Sequence, residues 1–270
     1  MLVKQIMTTS PVWVPPTTPL PQALELVDEL GIRHLPVFDT ELVGILSDRD
    51  LLEELSWSTE RIRARERERG RERKHTVAQI MHTDVMTVSP DDTVVGAAVT
   101  LVCESIGCLP VLEGGRLVGM VTETDLLSSY ETLCDRSEHE VDVDPRVRDV
   151  MSSQVVDVGR GTTLEDALIV ARSNRVRHLP VVTEGRLSGI LSDRDLRTGL
   201  SSGKPRELRA FDVMTHEVTV IGPGARLSDA AHAMARASIS SLPVVEDGRL
   251  VGMLTVTDVL DHCVNVMGAR

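Results

Sequence analysis

Apolar positions along the first fifty residues change their spacing twice. Leu20, Ala23, Leu24, Val27 and Leu30 recur at three- and four-residue steps, which predicts an amphipathic helix closed by Gly31. Two short continuous apolar runs follow, Leu35 to Phe38 and Leu42 to Leu46, parted by the turn Asp39-Thr40-Glu41. Runs of this length predict short buried strands. A polar S-D-R-D stretch from Ser47 opens a second helix, and Val12-Trp13-Val14 predicts a short leading strand. The unit is β-α-β-β-α, an α/β (α+β) design.

The same pattern is written four times. GIRHLPVFDTELVGILSDRDLL begins at Gly31, IGCLPVLEGGRLVGMVTETDLL at Ile106, RVRHLPVVTEGRLSGILSDRDLR at Arg175 and SISSLPVVEDGRLVGMLTVTDVL at Ser238. A box ending in methionine precedes each, at Met7, Met81, Met151 and Met214. The methionines step by 74, 70 and 63 residues, and so do the LPV triplets at Leu35, Leu109, Leu179 and Leu242. Repeats one and three share RHLPV and SDRD, whereas two and four carry neither, so the order is A-B-A′-B′ and the working units are pairs. The expected division is 1–60 for repeat one, 75–135 for two, 145–203 for three and 204–270 for four, with linkers at 61–74 and 136–144. In repeat two the first helix, VVGAAVTLVCES, is apolar nearly all round, which predicts burial on two sides where repeats or modules press together.

Composition narrows the chemistry. Only five rings, Trp13, Phe38, Trp57, Tyr130 and Phe211, occur in 270 residues, so the core is aliphatic and an aromatic stacking platform is excluded. A net charge of -12 works against wrapping a phosphate backbone, and nucleic acid is not an expected partner. Cys103, Cys108, Cys134 and Cys263 form no CxxC pair, which predicts reduced thiols and neither a metal site nor a disulfide framework. No apolar run reaches the roughly 18 residues of a membrane span, and the N-terminus lacks the pattern of a signal peptide, so a soluble cytoplasmic protein is expected. Residues 61–74 hold seven Arg, one Lys and three Glu. They read either as a solvated helix extension or loop, or as a docking arm for an acidic surface or nucleic acid.

The Met box, LPV strand, G-R-L-V-G turn and terminal S/T-x-x-D, repeated in register, resemble the CBS domain family over essentially the whole chain. One departure is Ser188, in place of the valine before Gly189. The resemblance implies four CBS repeats paired into two Bateman modules that form a disc. That layout is similar to the gamma subunit of AMP-activated kinase; a homodimer is the other arrangement expected.

The S/T-x-x-D boxes are Ser47 to Asp50, Thr122 to Asp125, Ser192 to Asp195 and Thr255 to Asp258. Each also reads as a helix capping box, which duplication would copy without any ligand. A carboxylate on a first helical turn can equally accept both hydroxyls of a ribose, and the resemblance implies that role for an adenine nucleotide. It further implies that residues before LPV face the disc centre and meet phosphates. Arg33, His34 and Arg49 in repeat one, with Arg177, His178 and Arg194 in repeat three, make Asp50 and Asp195 the leading pair of sites. Thr255, Thr257 and Asp258, with Thr122 and Asp125, suit a nucleoside-like ligand or phosphates held by cations from the A-type repeats. Adenine is expected against Ile32, Val37, Val176 and Val181. The regulatory ligand is expected to be AMP, ADP, ATP or S-adenosylmethionine, with no cofactor required. No catalytic motif is present, so a non-enzymatic sensor reporting to an unidentified protein partner is expected; the alternative is an interaction scaffold with vestigial sites.

Overall fold

The computed structural model describes residues 1–55, 75–130, 144–201 and 207–268. The Arg-rich segment and Cys134 lie outside them. Each repeat contributes a helix, a hairpin and a second helix. In repeat one these are α1 (Leu20–Leu30), β1 (His34–Phe38), β2 (Leu42–Ser47) and α2 (48–55). Repeat two has α3 (Val94–Glu104), β3 (Cys108–Glu113), β4 (Arg116–Thr122) and α4 (Glu123–Ser128). Repeat three has α5 (Leu164–Ser173), β5 (His178–Thr183), β6 (Arg186–Ser192) and α6 (Asp193–Ser201). Repeat four has α7 (Leu227–Ala237), β7 (Ser241–Glu246), β8 (Arg249–Thr255) and α8 (Val256–Gly268). The leading strand shrinks to single parallel bridges, Val14 to Val37 in repeat one, while repeat three keeps a two-residue strand, Val158–Gly159.

All four hairpins are antiparallel and bulge at the residue before the glycine. In repeat three that residue is Ser188, whose hydroxyl bonds Thr183 Oγ1 at 2.9 Å. A bulged residue is unpaired in the ladder, so serine is tolerated where the other repeats carry valine.

The Met boxes are exchanged between paired repeats. Thr8 and Thr9, just after the first box, pair with Met120 and Gly119 of repeat two, while His82, after the second, bridges Ile45 of repeat one. Thr215 likewise bridges Ile190, and Ser152 bridges Met253. Apolar box residues follow: Val3 enters the core of repeat two, Val77 that of repeat one, Val147 that of repeat four, and Ala210 with Met214 that of repeat three. This explains the glycine in every G-h-h-S/T box, because a Cβ on Gly44, Gly119, Gly189 or Gly252 would meet the exchanged methionine. At Gly189 a Cβ would also stand 2.9 Å from the Thr215 carbonyl oxygen, which the backbone cannot yield cheaply. Gly189→Ala is therefore expected to lower unfolding free energy by about 1–3 kcal/mol in a denaturant titration.

The two modules meet differently on their two sides. Repeats two and four share one apolar core, with α4 against α7 and α3 against α8. Repeats one and three keep separate cores and face each other through ion pairs, Arg172 to Glu53 at 3.1 Å, Arg49 to Asp193 at 3.3 Å and Arg194 to Asp28. The all-apolar α3 buries one face, Val94, Ala97, Ala98 and Leu101, in the shared core, but the expected burial on a second side is corrected: Val95 and Val99 are exposed, because no element covers that face among the described residues. No helix among the described residues is long and apolar enough to cross a membrane.

Candidate functional site

Every S/T-x-x-D box is a completed helix cap. One carboxylate oxygen, Oδ2, accepts from the box's first residue twice: Thr255 N–H at 2.7 Å and Thr255 Oγ1 at 2.6 Å onto Asp258. Asp50, Asp125 and Asp195 repeat this with Ser47, Thr122 and Ser192. The other oxygen, Oδ1, takes no hydrogen bond from a described residue; Asp50 Oδ1 lies 3.5 Å from His82 Nε2. Capping and ligand binding therefore use different lone pairs and do not compete.

A pocket of about 360 Å³ opens at the box of repeat four. Thr255, Thr257 and Asp258 form one wall, Ser152, Gln154, Val155 and Val156 enter from the exchanged box, and Arg175 to His178 come from repeat three. Arg177 and His178, which the sequence groups with Asp195, thus face Asp258 of the paired repeat, whereas Arg194 does not line this pocket. The side chains of Arg175 and Arg177, unlike their backbones, make no hydrogen bond or ion pair with a described residue, which leaves the guanidiniums available to an anion. The other arginines are committed: Arg33 Nη2 donates to the Ser238 carbonyl at 2.9 Å, while Arg49 and Arg194 hold Asp193 and Asp28.

A second cavity of about 280 Å³ lies between repeats one and three, where Arg33, His34, Ser47 and Arg49 face Arg177, His178, Ser192 and Arg194. Asp50 and Asp195 do not line either of these two spaces, and neither does Asp125. The expected adenine seat is corrected in part. Val176 lines the pocket, but Val37 and Val181 are wholly buried in the cores of their own repeats and have no surface to offer a ligand. Glu123 and Gln154 were not singled out by the sequence, and both line the pocket. Gln154 has no counterpart signal in the repeat alignment, because box exchange is a three-dimensional fact.

The histidines expected as basic groups are neutral at pH 7. Burial, then Arg33, push His34 down to about 4 against an opposing pull from Asp50. His178 is likewise lowered to about 4 by burial, then by Arg33 and Arg177. Both can still donate or accept one hydrogen bond, so any cationic role falls to the arginines. The unfolded chain, with histidine near 6.5, takes up protons first as pH falls, so stability present above 6.5 is lost on the way down to 4. At pH 5.5 each histidine is expected to cost about 1.4 kcal/mol relative to pH 7.5. Denaturant titrations at the two pH values check this, and His34→Gln with His178→Gln flattens the difference. Glu123 and Asp48, whose carboxyls burial pushes up, act in the opposite sense through the carboxylate range.

The CBS domain model matches residues 3–56, 77–131, 147–202 and 210–265, which is most of the sequence. The chain belongs to the CBS domain family. Among similar proteins, MJ1225 of Methanocaldococcus jannaschii is 28% identical over 274 residues, 93% of this chain and 94% of that one. Its crystal structure, presented as that of a candidate archaeal homolog of g-AMPK, superposes with a TM-score of 0.77 at 25% identity, covering 97% of this chain and 99% of that one. A conserved protein from Pyrococcus horikoshii gives 0.65 at 27% identity, over 97% and 100% of the two chains. The shorter CBS domain-containing protein YhcV of Bacillus subtilis is 35% identical over 114 residues, 42% of this chain and 81% of that one. Four CBS repeats spanning the chain, matched end to end by four-repeat-length relatives, fix the fold and the tandem organisation.

Proposed function

We propose that this chain is a non-catalytic regulatory protein that binds an adenosine-containing nucleotide between CBS repeats and transmits occupancy to a protein partner. The observation that carries this reading is the pairing, across one pocket, of the open Oδ1 of Asp258 with the uncommitted guanidinium of Arg177. The carboxylate suits ribose hydroxyls and the guanidinium suits a phosphate, and they come from different repeats. Apolar Val155, Val156 and Val176 offer the base a flat aliphatic seat. Arg177 also lines the cavity between repeats one and three and the small one between repeats two and four, so a ligand held there touches both modules. Occupancy then shifts module packing by its differential affinity for the two arrangements.

Asp50, Asp125 and Asp195 are proposed as further sites with Ser47, Thr122 and Ser192, because each makes the same cap through Oδ2 and leaves Oδ1 without a hydrogen bond from a described residue. The ligand set is AMP, ADP, ATP or S-adenosylmethionine. A cytoplasmic homodimer divided at the boundaries given above, with no nucleic-acid or membrane role, completes the proposal. The completeness of all four caps favours one competing reading, a scaffold whose aspartates serve helix starts alone. Calorimetric titration of the four ligands separates the two. Saturable binding that Asp258→Asn weakens supports the sensor, and no heat from any ligand supports the scaffold.

A further inference from the structure

Glu123 is the acid that the repeat pattern does not explain. It occupies the second position of its box, where repeat four carries the buried Val256 and repeats one and three carry Asp48 and Asp193. Asp193 is engaged by Arg197 at 2.8 Å and Arg49 at 3.3 Å. The Glu123 carboxylate, in contrast, takes no hydrogen bond from a described residue. Its Oε2 lies near Gly107, 4.0 Å from where a Cβ would stand, and the absent side chain leaves room for the His34 ring, which a Cβ would approach to 3.0 Å. From repeat two it lines the Asp258 pocket, the cavity between repeats one and three, and the small cavity between repeats two and four. Arg177 lines the same three.

Building on the nucleotide reading of the Asp258 pocket, we infer that Glu123 is a charge filter: it admits an adenosine ligand with one phosphate and disfavours a triphosphate. A first phosphate is drawn to Arg177. Each further phosphate adds negative charge beside a carboxylate that no other group has neutralised by hydrogen bonding, in a partly buried setting where screening is weak. Burial raises the Glu123 carboxyl's pKa, and Arg177 and Arg33 offset part of that rise. Glu123 also competes with the nucleotide for Arg177, which lines the same pocket, so the filter acts on the anion's approach as well as on its final position.

The test is calorimetric titration of adenosine, AMP, ADP and ATP in magnesium-free buffer at pH 7.5, reading the binding component that Asp258→Asn removes. In Glu123→Gln the ratio of the ATP Kd to the AMP Kd is expected to fall about tenfold, or ~1.4 kcal/mol. Glu123→Val, which installs the residue of repeat four, is expected to give the same direction and guards against a folding defect peculiar to one variant. A purely structural Glu123 would shift both nucleotides equally, so a ratio that falls less than threefold in both variants overturns the filter while leaving nucleotide binding intact. A wild-type protein that binds none of the four, or binds them without a component sensitive to Asp258, overturns the nucleotide reading and the filter together.

Discussion

Leu260→Ala is expected to lower the unfolding free energy by about 2–5 kcal/mol, the range for truncating a buried leucine whose surroundings cannot collapse. Leu260 lies in α8 at 1% exposure, beside Leu101 and Val102 of α3, in the core that repeats two and four share. Its loss leaves a void on the one apolar seam between the modules, so the damage reaches both. The opposite seam behaves differently. Asp28→Asn removes an ion pair between half-exposed groups, and such pairs contribute about 0–1 kcal/mol. Denaturant titrations of the two variants check the contrast. A Leu260→Ala loss below about 1 kcal/mol would show that the shared core does not hold the modules together.

Asp258→Asn is expected to weaken AMP binding at its pocket by about 10- to 100-fold, because a charged acceptor toward ribose hydroxyls becomes a neutral one. Asparagine keeps an oxygen for the cap bonds from Thr255, so the melting temperature without ligand is expected to stay close to wild type. Binding and stability therefore separate the two roles of this aspartate. If Asp258→Asn lowers stability and leaves titrations unchanged, the residue is a helix cap and nothing more.

Much of this architecture is written locally and so can be read from one sequence. The α1 stripe, its closing Gly31 with φ of 63°, the LPV strands and the S/T-x-x-D caps all arise from neighbours within a few residues. The all-round apolar α3 predicts a double burial that the structure does not supply: one stripe enters the shared core of repeats two and four, while Val95 and Val99 on the other face stay exposed. What was not legible depends on which distant segments meet. The repeats aligned as consecutive units, yet each Met box packs on its partner repeat, and that exchange carries Gln154 into the pocket and places Arg177 opposite Asp258. His34 and His178 looked cationic because sequence shows residue type and not burial. Val37 and Val181 looked available for adenine because strand sidedness cannot be told within a continuous apolar run; both turned inward. Glu123 was visible as one letter in TETD, and only its position at the meeting of three cavities gave it a chemical task.

The most direct measurement is a crystal structure of the protein with AMP at saturating concentration. Density in the pocket of repeat four is expected, with the ribose hydroxyls on Asp258, the phosphate on Arg177 and the adenine against Val155, Val156 and Val176. A pocket that stays empty under those conditions, with Thr255 and Asp258 engaged only in their cap, would contradict nucleotide binding at this site.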